Sequence, residues 1–126
     1  LLLYLPLLLG DRLPADLRRA MIDRLSALHL TDWGLATEAP ASPLYRENGY
    51  WRGPIWAPTT RLFIDALDIC SEKALADEVA RRFLRLCELS GMAENFDALT
   101  GQGLHDPAFA WTSATYLALA ARMISR

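Results

Sequence analysis

Residues 110–126 read AWTSATYLALAARMISR, with no charged side chain between Trp111 and Ala121. A helix of that composition has no wet face, so in water protein must surround it. The stretch before it is built differently. SEKALADEVARRFLRLCEL, residues 71–89, sets Leu75, Val79, Phe83 and Leu86 in one stripe and charges elsewhere. Glu72, Asp77 and Glu78 come early and Arg81, Arg82 and Arg85 late, which complements the helix dipole. Ser71 is the expected N-cap and Gly91 the expected stop.

The same contrast recurs upstream. PIWAPTTRLFIDALDIC, residues 54–70, carries charge only at Arg61, Asp65 and Asp68, so most of its circumference is apolar. It opens at Pro54, with Pro58 either inside the first turn or delaying the start. PADLRRAMIDRLSALH, residues 14–29, is amphipathic, with Leu17, Met21, Leu25 and Leu28 at helical spacing. The opening LLLYLPLLLG is an apolar run broken by Pro6. It is too short for a membrane span of about 20 residues. It also lacks the positive region and small-residue cleavage site of a secretory signal. The expected reading is a buried helix end.

Inner and outer helices therefore alternate, and so do their connections. Links from buried to amphipathic elements are tight, at Gly10–Leu13 and around Ser71. Links from amphipathic to buried elements, 30–53 and 91–109, run to about twenty residues, well beyond the usual helix–helix connection. A short extended piece is expected at Leu35–Thr37. Concentric rings of helices produce both regularities and gather the long loops at one end. The expected fold class is all-α, about half of an (α/α)6 toroid of the six-hairpin type. Residues 1–126 form one unit with no internal boundary. A plain helical bundle explains the helices but not the one-sided loops.

Composition agrees. The 126 residues are 52% hydrophobic, ample for one core. Thirteen Lys plus Arg against fifteen Asp plus Glu, and a pI near 5.6, argue against a nucleic-acid binder. Four each of Trp, Tyr and Phe argue against disorder. A mean hydropathy of +0.11 is high for so small a free-standing domain, as in a part of something larger. Cys70 and Cys87 lie in helical patterns without metal-ligand spacing and are expected as buried free thiols. No phosphate-binding loop or metal-ligand spacing is present, so no cofactor and no metal are expected.

Both long loops are aromatic and ionisable. The first holds Tyr45, Glu47, Asn48, Tyr50, Trp51, Arg52 and Trp56. The second holds Glu94, Asn95, Phe96, Asp97, His105, Asp106 and Phe109, with Trp111 just beyond it. Indole faces beside carboxylates, Arg and amides suit pyranose rings, whose C–H faces stack while fork-shaped groups hold hydroxyls.

The spelling is more specific than the composition. YWRGPIW at 50–56, ENFDALTGQG at 94–103 and FAWTSA at 109–114 occur in that order, and GLATEAPASPLY at 34–45 precedes them. Over nearly the whole chain these resemble the C-terminal catalytic region of glycoside hydrolase family 63, with its bacterial α-glucosidases and mannosylglycerate hydrolases. Trehalases and glycogen-debranching-type proteins are more distantly similar. The resemblance implies a C-terminal fragment of an inverting α-glycosidase acting on an α-glucoside or α-mannoside. Glu94 would be its general base, about 6.5–9.5 Å from the acid to leave room for water. Trp51, Arg52, Gly53 and Trp56 would line the −1 subsite, with Gly53 letting backbone approach the ligand, and Tyr50 is a further candidate for substrate contact. Trp111 and Thr112 would sit close to Glu94, and for Thr112 helix capping competes with ligand contact.

The family's proton donor is an Asp on an earlier loop, and Asp32, Asp97 and Asp106 do not match its motif. Asp97 is read as turning its loop, and His29 and His105 as structural. The implied partners are an oligosaccharide or small glycoside and either the missing half of the barrel or a second copy. No membrane or nucleic-acid partner is expected, and a cytoplasmic location is favoured. Some members hold a calcium ion elsewhere, for which no ligands are identified here. The rival reading is a non-catalytic helical module that binds sugar or protein through its aromatic loops.

Overall fold

The computed structural model describes residues 1–125. A 3-10 helix, Leu2–Arg12, leads to α1 (Ala15–His29), α2 (Ala57–Ile69), α3 (Lys73–Ser90) and α4 (Ala110–Ile124). Two short strands, β1 (Asn95–Phe96) and β2 (Gly103–Leu104), pair antiparallel within the second long loop. The helices form two rows. The 3-10 helix, α2 and α4 lie side by side, with α1 packed on the 3-10 helix and α3 straddling α2 and α4.

α2 is the centre of the core. Ala57, Phe63, Ile64, Ala66 and Leu67 are wholly buried against neighbours on several sides, as its sparse charge implies. The helix starts at Ala57 rather than Pro54, because Pro54 and Ile55 are extended and Pro58 then falls in the first turn. α3 buries Ala76, Val79, Ala80, Phe83, Leu86 and Cys87 and keeps one polar face. Arg122 of α4 joins the two, reaching Asp68 of α2 and Asp77 of α3 through charge-assisted hydrogen bonds.

Three local expectations are corrected. On α1 the buried stripe is Ile22, Leu25 and His29, whereas Leu17 and Leu28 are exposed. The stripe shifts because the His29 ring takes a core position. Ser71 does not cap α3, whose N-cap is Glu72. Ser71 instead stands at φ +63 and closes α2: its N–H donates to Asp68 O at 2.9 Å, and that of Glu72 to Leu67 O at 2.8 Å. These are the paired bonds of a Schellman turn. The leucine-rich opening is a 3-10 helix with only Tyr4, Leu7 and Gly10 buried inside it. A Cβ at Gly10 would meet Ile69 Cγ2 at 2.6 Å, so the first tight link fits against the end of α2.

Cys70 donates to Leu7 O at 3.3 Å at that same end, so the two tight connections are neighbours. Both cysteines are free and buried, and burial pushes the Cys87 thiol up to about 12. The two long loops meet at the other end. Ile55 and Phe96 exchange both backbone hydrogen bonds, at 2.7 and 3.0 Å, and the Trp33 indole donates to Leu99 O at 3.1 Å. The extended piece at Leu35–Thr37 is present, with bridges from Leu35 to Leu30 and from Ala36 to Ile55.

Candidate functional site

Consecutive turns bring the first loop back on itself. Arg46 N–H donates to Arg52 O at 2.7 Å, Gly49 N–H to Arg46 O at 3.0 Å, and Arg52 N–H to Gly49 O at 3.1 Å. A Cβ at Gly53 would stand 2.3 Å from Arg46 O, so this glycine makes room for the loop's own backbone rather than for a ligand. At the crest Tyr50 takes a left-handed φ of +61, and the Trp56 indole N–H donates to its carbonyl at 3.0 Å.

Trp56, fully buried, is the floor of an aromatic cluster. Trp51 stacks on it with centroids 4.1 Å apart and planes 15° apart. Tyr50 meets it edge to face at 4.7 Å, and Trp111 lies tilted at 6.3 Å. Trp51 and Trp111 are each about half exposed and, with Pro58, Arg61, Ala114 and Thr115, line an open apolar groove of about 520 Å³.

Glu94 enters this cluster from the second loop. Its N–H donates to Asp106 O at 2.7 Å, and the preceding carbonyl, of Ala93, accepts the Thr112 hydroxyl at 2.6 Å. The Glu94 carboxylate is half-buried and accepts a hydrogen bond at Oε1 from the Tyr50 hydroxyl at 3.0 Å. That bond to Glu94, then partial desolvation and lastly the neighbouring negative charge, hold the Tyr50 phenol above its ordinary value. A carboxylate with one oxygen engaged and a wall of indoles beside it can accept a proton from water next to a bound ring.

The structure therefore gathers Glu94, Tyr50, Trp51, Trp56 and Trp111 in one chain of contacts. Thr112 is fully buried, and its hydroxyl holds the Glu94 loop through Ala93; the N-cap of α4 is Phe109. Arg52 stands apart from this chain, lining a groove of about 600 Å³ with Tyr45, Arg46, Glu47, Asn48, Gly49 and Leu99.

No second carboxylate faces Glu94 among the described contacts. Asp97 Oδ1 accepts from the Leu99 and Thr100 amides, turning its loop as expected. Asp106 Oδ1 accepts from the Ala108 amide. Asp32 lines a separate groove with Trp33, Glu78, Arg81, Arg82 and Arg85.

The two histidines differ. His29 is buried, with Nδ1 at 2.9 Å from Ala36 O. His105 is exposed, stands at φ +64 and meets the Tyr50 ring edge to face at 5.8 Å. Sequence reading left it outside the site; a positive φ and a contact across two loops leave no mark in residue spacing. Among the described residues no group of three or more His, Cys, Asp and Glu could hold a metal ion, and no helix is long and apolar enough to cross a membrane.

Comparison with known proteins places these features in context. A family model described as "Mannosylglycerate hydrolase MGH1-like glycoside hydrolase domain" matches residues 1–112. The mannosylglycerate hydrolase of Thermus thermophilus is 31% identical over 120 residues, covering 90% of this chain and 28% of that protein. The glucosylglycerate hydrolase of Mycolicibacterium hassiacum is 30% identical over 120 residues, covering 90% and 27%. The crystal structure of the glycoside hydrolase family 63 mannosylglycerate hydrolase from Thermus thermophilus in complex with glucose is similar, with a TM-score of 0.78 and 28% identity. The match covers 94% of this chain and 28% of that one. The same holds for its complex with Tris and D-glycerate. The chain thus spans less than a third of the length of these relatives, and its helices match part of their (α/α)6 toroid.

Proposed function

The chain belongs to the mannosylglycerate hydrolase MGH1-like glycoside hydrolase family, and from that premise we propose that it carries the general-base side of an inverting α-glycosidase site, with Glu94 as the base. The single observation behind this reading is the Glu94 carboxylate, held by the Tyr50 hydroxyl against the indole cluster at the end where both long loops meet. Trp51 and Trp111 offer exposed faces for the sugar ring, and Trp56 supports Trp51 from below. The relatives' names point to a small α-hexoside of glycerate type, an α-mannoside or α-glucoside.

In the proposed reaction Glu94 takes a proton from water as its oxygen attacks the anomeric carbon, and the glycosidic oxygen leaves with inversion. Leaving-group departure needs a proton donor on the opposite face. Asp97 and Asp106 are committed to loop amides and Asp32 lines another groove, which supports a donor supplied by a part of the protein outside these residues. The polypeptide 1–126 alone then lacks acid assistance, a loss of about 10²–10⁴-fold.

The test is Glu94→Gln in the catalytically complete protein, assayed on mannosylglycerate and glucosylglycerate. Hydrolysis should fall by about 10²-fold or more while substrate binding, measured by calorimetry, survives. Unchanged turnover overturns the assignment of the base.

A further inference from the structure

We propose that Tyr50 is a positioning residue for the base: its hydroxyl fixes Oε1 of Glu94 and leaves Oε2 as the oxygen that meets the attacking water. The inference rests on the reading of Glu94 as base and adds a residue that acts through it. Three observations carry it. The hydroxyl donates to Glu94 Oε1 at 3.0 Å across 44 residues of sequence, so the contact joins the two long loops at their functional ends.

Tyr50 also pays for its place with a φ of +61, rare for a bulky side chain and sustained only when surroundings over-determine it. Those surroundings are present. The buried Trp56 indole clamps the Tyr50 carbonyl at 3.0 Å, and the ring is met edge to face by Trp56, Trp51 and His105, at 4.7, 5.9 and 5.8 Å. With its ring engaged on these sides, the free end of the residue is the hydroxyl. The phenol, with an ordinary value of 10.0, is protonated at neutral pH, and its bond to Glu94 raises that value further.

Removing the hydroxyl loosens the orientation of the Glu94 carboxylate. The titratable groups around Glu94 are Tyr50 and, against the Tyr50 ring, His105; Asp106 meets Glu94 through its backbone, and the first turn of α4 carries no charge.

The experiment is Tyr50→Phe in the catalytically complete protein, beside Glu94→Gln. Tyr50→Phe should lower kcat about tenfold or more with KM little changed. A raised KM with kcat unchanged makes Tyr50 a substrate contact and overturns the proposal. If Glu94→Gln abolishes turnover and Tyr50→Phe leaves kcat unchanged, this inference falls alone; if Glu94→Gln is fully active, the base falls first and this with it. Should Tyr50→Phe not fold, Trp56→Phe keeps a ring but removes the clamp on the Tyr50 carbonyl. It should lower kcat with KM changed less than kcat, and an unchanged kcat overturns the proposal.

Discussion

His29 is a charge-capable ring in a core position. Desolvation lowers its pKa most; the bond to Ala36 O opposes this, the N-terminal amino group adds to it, and Glu38 opposes it. The folded ring therefore stays neutral at a pH where the unfolded ring, near 6.5, is already protonated. Its contribution to stability is full above that ordinary value and declines as pH falls below it toward the lowered folded value. Thermal denaturation at pH 7.5 and 5.5 should show a lower Tm at the acid pH, and His29→Gln should flatten the difference; an equal difference in both proteins refutes the link. At this scale the sequence was informative wherever chemistry travels with spelling. Glu94, Trp51, Trp56 and Trp111 were named from motifs, and contacts link them. The role of Thr112 was left open between capping and ligand contact; Phe109 is the N-cap, and the Thr112 hydroxyl holds Ala93 O, a partner nineteen residues away that no periodicity reveals.

Among the elements, the four α-helices and their alternation were legible, since a charge-free helix and an amphipathic one differ in composition over many residues. Their ends were less so. Ser71 carries the residue type of an N-cap, yet the short link leaves room for one turn, and the closure of α2 takes it. A serine there bears the left-handed penalty that glycine avoids. Ser71→Gly should therefore stabilise the fold by about 0.5–1 kcal/mol, read by urea denaturation. A loss of similar size would show that the serine is needed at the start of α3 after all. The α1 stripe was misjudged for a related reason. Leucines at 17 and 28 look like core residues, but the packed face is decided by what lies opposite, and His29 edge-to-face with Tyr4 at 5.4 Å belongs to it.

Across the whole molecule, apolar side chains stand open on elements that read as buried from composition: Leu2, Leu3 and Leu9 of the 3-10 helix, and Trp111, Leu117 and Ile124 of α4. Apolar surface left open to water favours association. A polypeptide of residues 1–126 should self-associate, so that light scattering gives a mass above 14.1 kDa; a clean, stable monomer counts against this. The lacing of the Glu94 loop has a consequence in time. Ala93 is held by Thr112, Met92 O accepts the Phe109 amide at 2.7 Å, and the Glu94 amide donates to Asp106 O, so these backbone tethers lie later in the chain, while the carboxylate meets Tyr50 earlier in it. During synthesis, when earlier segments emerge and fold first, the aromatic floor exists before the carboxylate is set upon it. The loop that bears Glu94 is fully fastened only once the start of α4 has left the ribosome, and a chain halted before Thr112 lacks the hydroxyl that holds Ala93.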